Sequence, residues 1–319
     1  MLREFSTFLE DKNIKGQLDL ALKNKELSHS YLFVGSEGVG KFTQAKNFAQ
    51  AILCASNDNP KSFCNLTDEF SHPDLLVIKK EESIKKEDIE DLIEKAARLP
   101  FEAGKKVILI NDFDRATPEA QNAFLKTLEE PPVYLIIILL ATNKMKLLST
   151  IRSRCRILRF SDLSQEKIYD YLIKSGVSEN NADLFSRLSC GSINLANSYV
   201  NDSELLKKHY ELIDVLDSLI RDRGYYIFSY LDYFRENKEN IEEILRAMAI
   251  WFRDLAFIKL NKKDKVINID KLKLLELENL ALDRCLSIYG EILLTKERLR
   301  KNINFDLAVQ ALLMRIGGM

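Results

Sequence analysis

The stretch GSEGVGKFT, Gly35 to Thr43, combines residue types that handle phosphate. Glycines at 35, 38 and 40 let backbone amides curl around an anion. Lys41 supplies a cation for the terminal phosphates, and a helix starting there would aim its positive end at them. The pattern G-x-x-x-x-G-K-[ST] then asks for a hydroxyl to hold magnesium. Phe42 stands in that place. Thr43 carries a hydroxyl, but on a helix it lies about 100° further round. Phe42 instead falls in line with Ala45, Ala49 and Ile52, as if to extend a buried helix face.

A second acidic position points the same way. In nucleotide hydrolases an apolar strand ends in Asp-Glu, the aspartate steadying magnesium and the glutamate activating water. Here KVILIN is followed by Asp112 and then Phe113, and Asp114 is out of phase by two residues. Gly35, Gly38, Gly40, Lys41, Thr43 and Asp112 therefore spell a weak or vestigial ATP site, to which the resemblance given below adds Asn143. A poor ATPase, or none, is the expectation.

The elements that would position these residues alternate up to about Phe160. SYLFVG (Ser30 to Gly35), HPDLLVI (His72 to Ile78), KVILIN (Lys106 to Asn111), VYLIIILLAT and CRILRF (Cys155 to Phe160) read as strands. Helical periodicity separates them in KFTQAKNFAQAIL, SIKKEDIEDLIEKAARL and PEAQNAFLKTLEE. Thr117 caps the last of these, with Pro118 at its first position. The run VYLIIILLA lacks alternation, as a strand buried on both faces should. This order predicts a mostly parallel sheet covered by helices.

After Ser161 the pattern is helical only. SQEKIYDYLIKSG and ENNADLFSRLSCG are each closed by a glycine, Gly176 and Gly191. NDSE (Asn201 to Glu204) reads as a domain boundary. Beyond it Ile241, Ile244, Leu245, Met248, Trp251, Phe252 and Leu255 form one broad apolar face. Asn304 is placed to cap a final helix. The expected fold class is α/β plus all-α: a P-loop parallel-sheet domain over 1–162, a small helical lid over 163–202 and a C-terminal helical domain over 203–319.

The 319 residues suit two or three domains, at roughly 100–200 residues each. The 47 basic and 48 acidic residues nearly cancel, to a net charge of -1, which argues against a whole-protein affinity for nucleic acid. Val133 to Ala141 is too short to span a bilayer, which needs about 20 residues. No signal peptide is read at the N-terminus, and five scattered cysteines suit free thiols in a cytoplasmic protein.

HSYLFVGSEGVGK, NAFLKTLEEPP (Asn122 to Pro132) and STIRSRC, in this order, resemble bacterial DNA polymerase III clamp-loader subunits, which are AAA+ proteins. NINFDLAVQALL (Asn302 to Leu313) resembles the family's collar helix. The likeness is dense from about His29 to Phe160, thin through the middle, and returns at the end. It implies a hetero-pentamer member partnered by tau/gamma and delta subunits, a sliding clamp and, through the complex, primed DNA. The tau/gamma kind of subunit keeps both nucleotide motifs. The delta prime kind often has damaged motifs and serves as a largely non-hydrolysing wall of the ring. Phe42 and Phe113 place this chain with delta prime, as does a chain that ends with the collar. A tau/gamma-like ATP-hydrolysing motor is the alternative.

Other positions follow from the same resemblance. Ser153-Arg154-Cys155 matches the family motif whose arginine reaches a nucleotide on the neighbouring subunit, so Arg154 is expected to act in trans as an arginine finger. It sits in a basic run with Lys144, Lys146, Arg152, Arg156 and Arg159, whose lysines read as a solvated edge. Asn143 matches the first sensor. Asn194 follows Gly191-Ser192-Ile193 where the second sensor carries arginine. The family's zinc module has four cysteines; Cys54 and Cys64 remain, and Asp58 and Lys61 replace the middle pair, so zinc is not expected and both thiols are expected free.

Overall fold

The structure, a computed structural model, describes residues 12–24, 26–56, 72–80, 82–221, 227–301 and 303–318. The chain divides into two compact units. The first comprises residues up to Tyr171 together with Cys190–Asn194; the second holds Leu172–Ser189 and Leu195–Met319.

The first unit runs α1 (Lys12–Lys23), β1 (Ser30–Val34), α2 (Lys41–Ala55), β2 (Leu75–Ile78), α3 (Lys86–Ala97), β3 (Lys106–Ile110), α4 (Pro118–Glu129), β4 (Leu135–Ala141), α5 (Ser149–Arg154) and β5 (Arg156–Arg159). Among the described residues the strands form one parallel sheet in the order β2-β3-β4-β1-β5. Ser30 lies opposite Ile137, Lys106 opposite Leu135, and Tyr31 opposite Arg156.

The central strands are apolar on both sides because both sides are covered. Val107 and Leu109 of β3, with Ile136, Ile138 and Leu140 of β4, face a core that includes Phe48 and Ile52 of α2. Ile108 and Ile110, with Ile137 and Leu139, face the opposite core with Ile89 of α3 and Phe124 of α4. A pleat of period two distributes one apolar run between two helix layers. At the sheet edge, β5 exposes Arg156 and Arg159, on opposite faces by the same alternation.

Local chemistry sets the ends. Thr117 Oγ1 accepts from the Ala120 amide at 3.2 Å, and Pro118 opens α4, as expected. The strand expected from His72 is shorter, starting at Leu75. His72 to Asp74 turn instead, and the fully buried Asp74 carboxylate accepts from the amides of Phe101, Glu102 and Ala103 at 2.6, 2.8 and 2.9 Å. Three amides on one carboxylate hold the segment before β3, and the Asp74 carbonyl also accepts from the Val107 amide at 2.8 Å.

The remaining helices are α6 (Gln165–Lys174), α7 (Glu179–Leu188), α8 (Ile193–Asn201), α9 (Ser203–Arg221), α10 (Ile227–Glu236), α11 (Ile241–Lys259), α12 (Leu272–Leu277), α13 (Leu282–Arg300) and α14 (Phe305–Gly317). In the second unit Ile244, Leu245, Met248, Trp251, Phe252 and Leu255 of α11 are buried, the face read from spacing. Asn304 Oδ1 accepts from the Leu307 amide at 3.1 Å, capping α14. Among the described residues no helix is long and apolar enough to cross a membrane.

One buried carboxyl makes this helical unit pH-sensitive. Glu278, after α12, is buried, and its pKa is pushed up to about 7 by that burial and by a hydrogen bond and charge from Asp217 of α9. Arg221 pairs with Asp217 at 3.1 Å and Lys259 donates to the Glu278 carbonyl; both cations oppose the rise. The folded state therefore keeps a proton that the unfolded chain releases near 4.5. Stability falls as pH rises from about 4.5 to about 7 and then levels, by on the order of 2–3 kcal/mol. Glu278→Gln should flatten that fall in urea titrations at pH 5 and pH 8; an unchanged difference between the two pH values would refute it.

Candidate functional site

A parallel sheet gathers the ends of its strands on one edge, and three adjacent strands deliver the candidate residues there. β1 leads into Gly35, β3 into Asp112 and β4 into Asn143. Gly40 has φ 89° and Gly38 φ 78°, the left-handed conformation that a phosphate loop needs and that side chains resist. At Gly38 a Cβ would also stand 1.9 Å from Ser192 Oγ, and the Ile193 amide donates to the Gly38 carbonyl at 3.0 Å. The segment after Gly191 thus packs directly on the loop. Gly35 backs onto Phe160, whose carbonyl oxygen would be 2.7 Å from a Cβ.

Lys41 is 6% exposed. Its Nζ donates to the carbonyls of Gly35 at 2.7 Å and Ser36 at 2.8 Å, closing the loop on itself. Burial pushes its pKa down, while the carboxylates of Asp112, Asp114, Glu37 and Asp162 act in the opposite sense. Phe42 is half-buried against the core beneath α2, with the Lys79 ammonium 5.3 Å from its ring centroid. Thr43 is exposed.

The acidic side is similarly changed. Asp112 has φ 50°, takes a 3.0 Å bond from Asn111 Nδ2, and has its pKa raised chiefly by burial. Phe113, where a base would sit, is fully buried against Phe124, ring centroids 5.8 Å apart. ATP and magnesium therefore meet a mixed fit. The glycine turns and helix start that cradle phosphate are present. A hydroxyl after the lysine and a carboxylate after Asp112 are not.

Asp114 has a different task. Buried, it accepts from Thr142 Oγ1 at 2.7 Å and from the amides of Thr142 and Asn143 at 3.2 and 3.0 Å. Asn143 Oδ1 in turn accepts from the Met145 amide at 2.9 Å, capping the turn that follows β4. Gln121 of α4 continues the chain of contacts, donating to the Lys146 carbonyl at 3.2 Å and accepting from the Leu148 amide at 2.9 Å. These bonds place α5.

Arg154 ends α5. Its carbonyl accepts from Ser30 Oγ at 2.7 Å, which pins its backbone to the start of β1. Nη1 donates to the Thr150 carbonyl at 2.8 Å, and Nη2 pairs with Glu129 Oε1 at 2.6 Å. The guanidinium is partly exposed. Gly35 lies at the other end of β1, about 16 Å away along five residues. The structure thus groups the phosphate loop, Asp112 and Asn143, and sets Arg154 apart from them.

Of the cysteine pair, Cys64 lies outside the described residues, as do Asp58 and Lys61. Cys54 is disulfide-bonded, which corrects the expectation of a free thiol there: a thiol brought within bonding reach of a second one can be oxidised to a disulfide. Cys155 and Cys285 are buried free thiols. Burial pushes the Cys155 thiol up to about 11. Among the described residues, no three His, Cys, Asp or Glu side chains are grouped to hold a metal ion.

A parallel sheet with a glycine-rich turn after β1, an aspartate after β3 and a polar residue after β4, followed by helices, defines a P-loop-like α/β fold with a helical second unit. A DNA polymerase III gamma subunit-related protein from Thermotoga maritima shares the fold, with 20% identity and a TM-score of 0.51 over 95% of this chain and 99% of that one. The family described as DNA polymerase III, delta subunit, matches residues 10–164. The delta prime subunit of Bacillus subtilis is 29% identical over 308 residues, 93% of each chain. The gamma/tau subunit of Mycoplasma pneumoniae is 32% identical over 56% of this chain, but the match spans 27% of that longer protein. The chain is thus similar to DNA polymerase III subunits, with its likeness to delta prime running nearly end to end.

Proposed function

We propose that this chain is a delta prime-type wall of the clamp loader that hydrolyses little or no ATP itself and offers Arg154 to a neighbouring ATPase subunit. The observation that carries this reading is the division of labour across β1. At one end the phosphate loop has its lysine bound to its own carbonyls and lacks the magnesium hydroxyl and the base. At the other end of that strand, about 16 Å long, a partly exposed guanidinium is held beside Ser30, turned to a task other than the chain's own phosphate loop.

Tau/gamma and delta subunits would be the partners, and the complex would place a sliding clamp on primed DNA. The helical unit supports assembly: α13 exposes Leu286, Leu293 and Leu294, and α14 exposes Leu307 and Met314, pairs seven residues apart that make apolar stripes. A tau/gamma-like motor is the second reading, favoured by the gamma/tau similarity and by Lys41 and Asp112, and opposed by Phe113.

Labelled ATP with magnesium on the purified chain separates the two. Binding and product formation are recorded together, with Lys41→Ala as control. Absent or negligible turnover is the expected result. Turnover abolished by Lys41→Ala would make the chain a motor subunit.

A further inference from the structure

The geometry points to Glu129 as a positioning residue that parks Arg154 until a more strongly anionic group arrives. This inference rests on the finger reading above. Glu129 is the last residue of α4 and Arg154 the last of α5, so two helix ends meet through one ion pair at 2.6 Å. The Thr150 carbonyl takes a second guanidinium donor. Ser30 pins the backbone, so the side chain can change partner without moving α5.

The pair is poised rather than fixed. Arg154 is 34% exposed and Glu129 46%. A pair so open to water shifts an equilibrium by at most about fivefold. A single carboxylate carries one negative charge. A nucleoside triphosphate bound on the adjacent subunit presents more charge on its terminal phosphate, with oxygens suited to the same planar fork. The guanidinium should leave Glu129 for the triphosphate, and have little reason to leave it for a diphosphate lacking that group. Glu129 then acts as a threshold. It neutralises the finger in the empty ring and makes engagement depend on the terminal phosphate.

The test uses the assembled complex and measures the Arg154-dependent part of ATP turnover, defined by subtracting the Arg154→Ala complex, across a range of ATP concentrations. Glu129→Gln keeps size and removes the charge. It is expected to lower the KM for ATP of that component by up to about fivefold with kcat unchanged. Glu129→Asp should stay near the parent. A general structural defect would lower kcat or the melting temperature instead, and an unchanged or raised KM in Glu129→Gln would overturn the parking role while leaving the finger intact. No turnover difference between Arg154→Ala and parent would remove both.

Discussion

Arg154→Ala in the assembled complex is expected to lower ATP turnover at the facing site on the order of a thousandfold, the usual worth of a guanidinium that neutralises charge on a transferring phosphoryl group. Clamp loading should fall with it. The isolated variant should melt like the parent. What holds the backbone here is the Ser30 hydroxyl on the Arg154 carbonyl, a bond the substitution leaves in place. The lost partner, Glu129, is solvated and costs at most about 1 kcal/mol. Arg154→Lys should recover only part of the rate, because an ammonium lacks the planar fork. ATPase assays of the reconstituted complex, paired with thermal melts of the free chain, decide this. Parent-like turnover in the alanine complex would eliminate the finger.

The second large effect falls on stability. Asp114→Ala removes one carboxylate from three donors, the Thr142 hydroxyl and the amides of Thr142 and Asn143, at a position 6% exposed. Leaving these donors without an acceptor should cost about 3–5 kcal/mol. The damage should also travel. The end of β4 fixes the turn capped by Asn143, and that turn leads into α5 and Arg154. In the complex the variant should therefore lose part of its Arg154-dependent turnover. Urea denaturation of the free chain measures the first effect, and a loss below about 1 kcal/mol would show that the contacts are incidental.

Asp114 also marks where reading a sequence stops. By position it is a carboxylate one residue past the place of a base. Its actual partners lie 28 and 29 residues away, across β3 and β4, and no local pattern announces them. Asp74 is the same case: the amides its carboxylate binds lie 27 to 29 residues on. Ser30 and Glu129, which hold the two ends of Arg154, join it only through the sheet and the meeting of two helices. What local chemistry controls was legible. Gly40 must be glycine to turn with positive φ, Thr117 and Asn304 bond amides three residues along, and β4 has no alternation because both its faces are covered. Phe42 was legible too, since its place on a buried helix face follows from spacing alone. Lys41 was legible as a cation at the loop, but not as one that bonds the loop's own carbonyls.

The arginines of β5 have a consequence for the chain before it meets any partner. β5 is an outer strand, and an outer strand is a template on which a second copy can add its own. Arg156 and Arg159 put a positive charge on either face of that rim. Two copies approaching rim to rim would bring like charges together across a short parallel register, a repulsion that strengthens as water is squeezed out. The newly made chain is thereby guarded against joining itself into fibres along this edge.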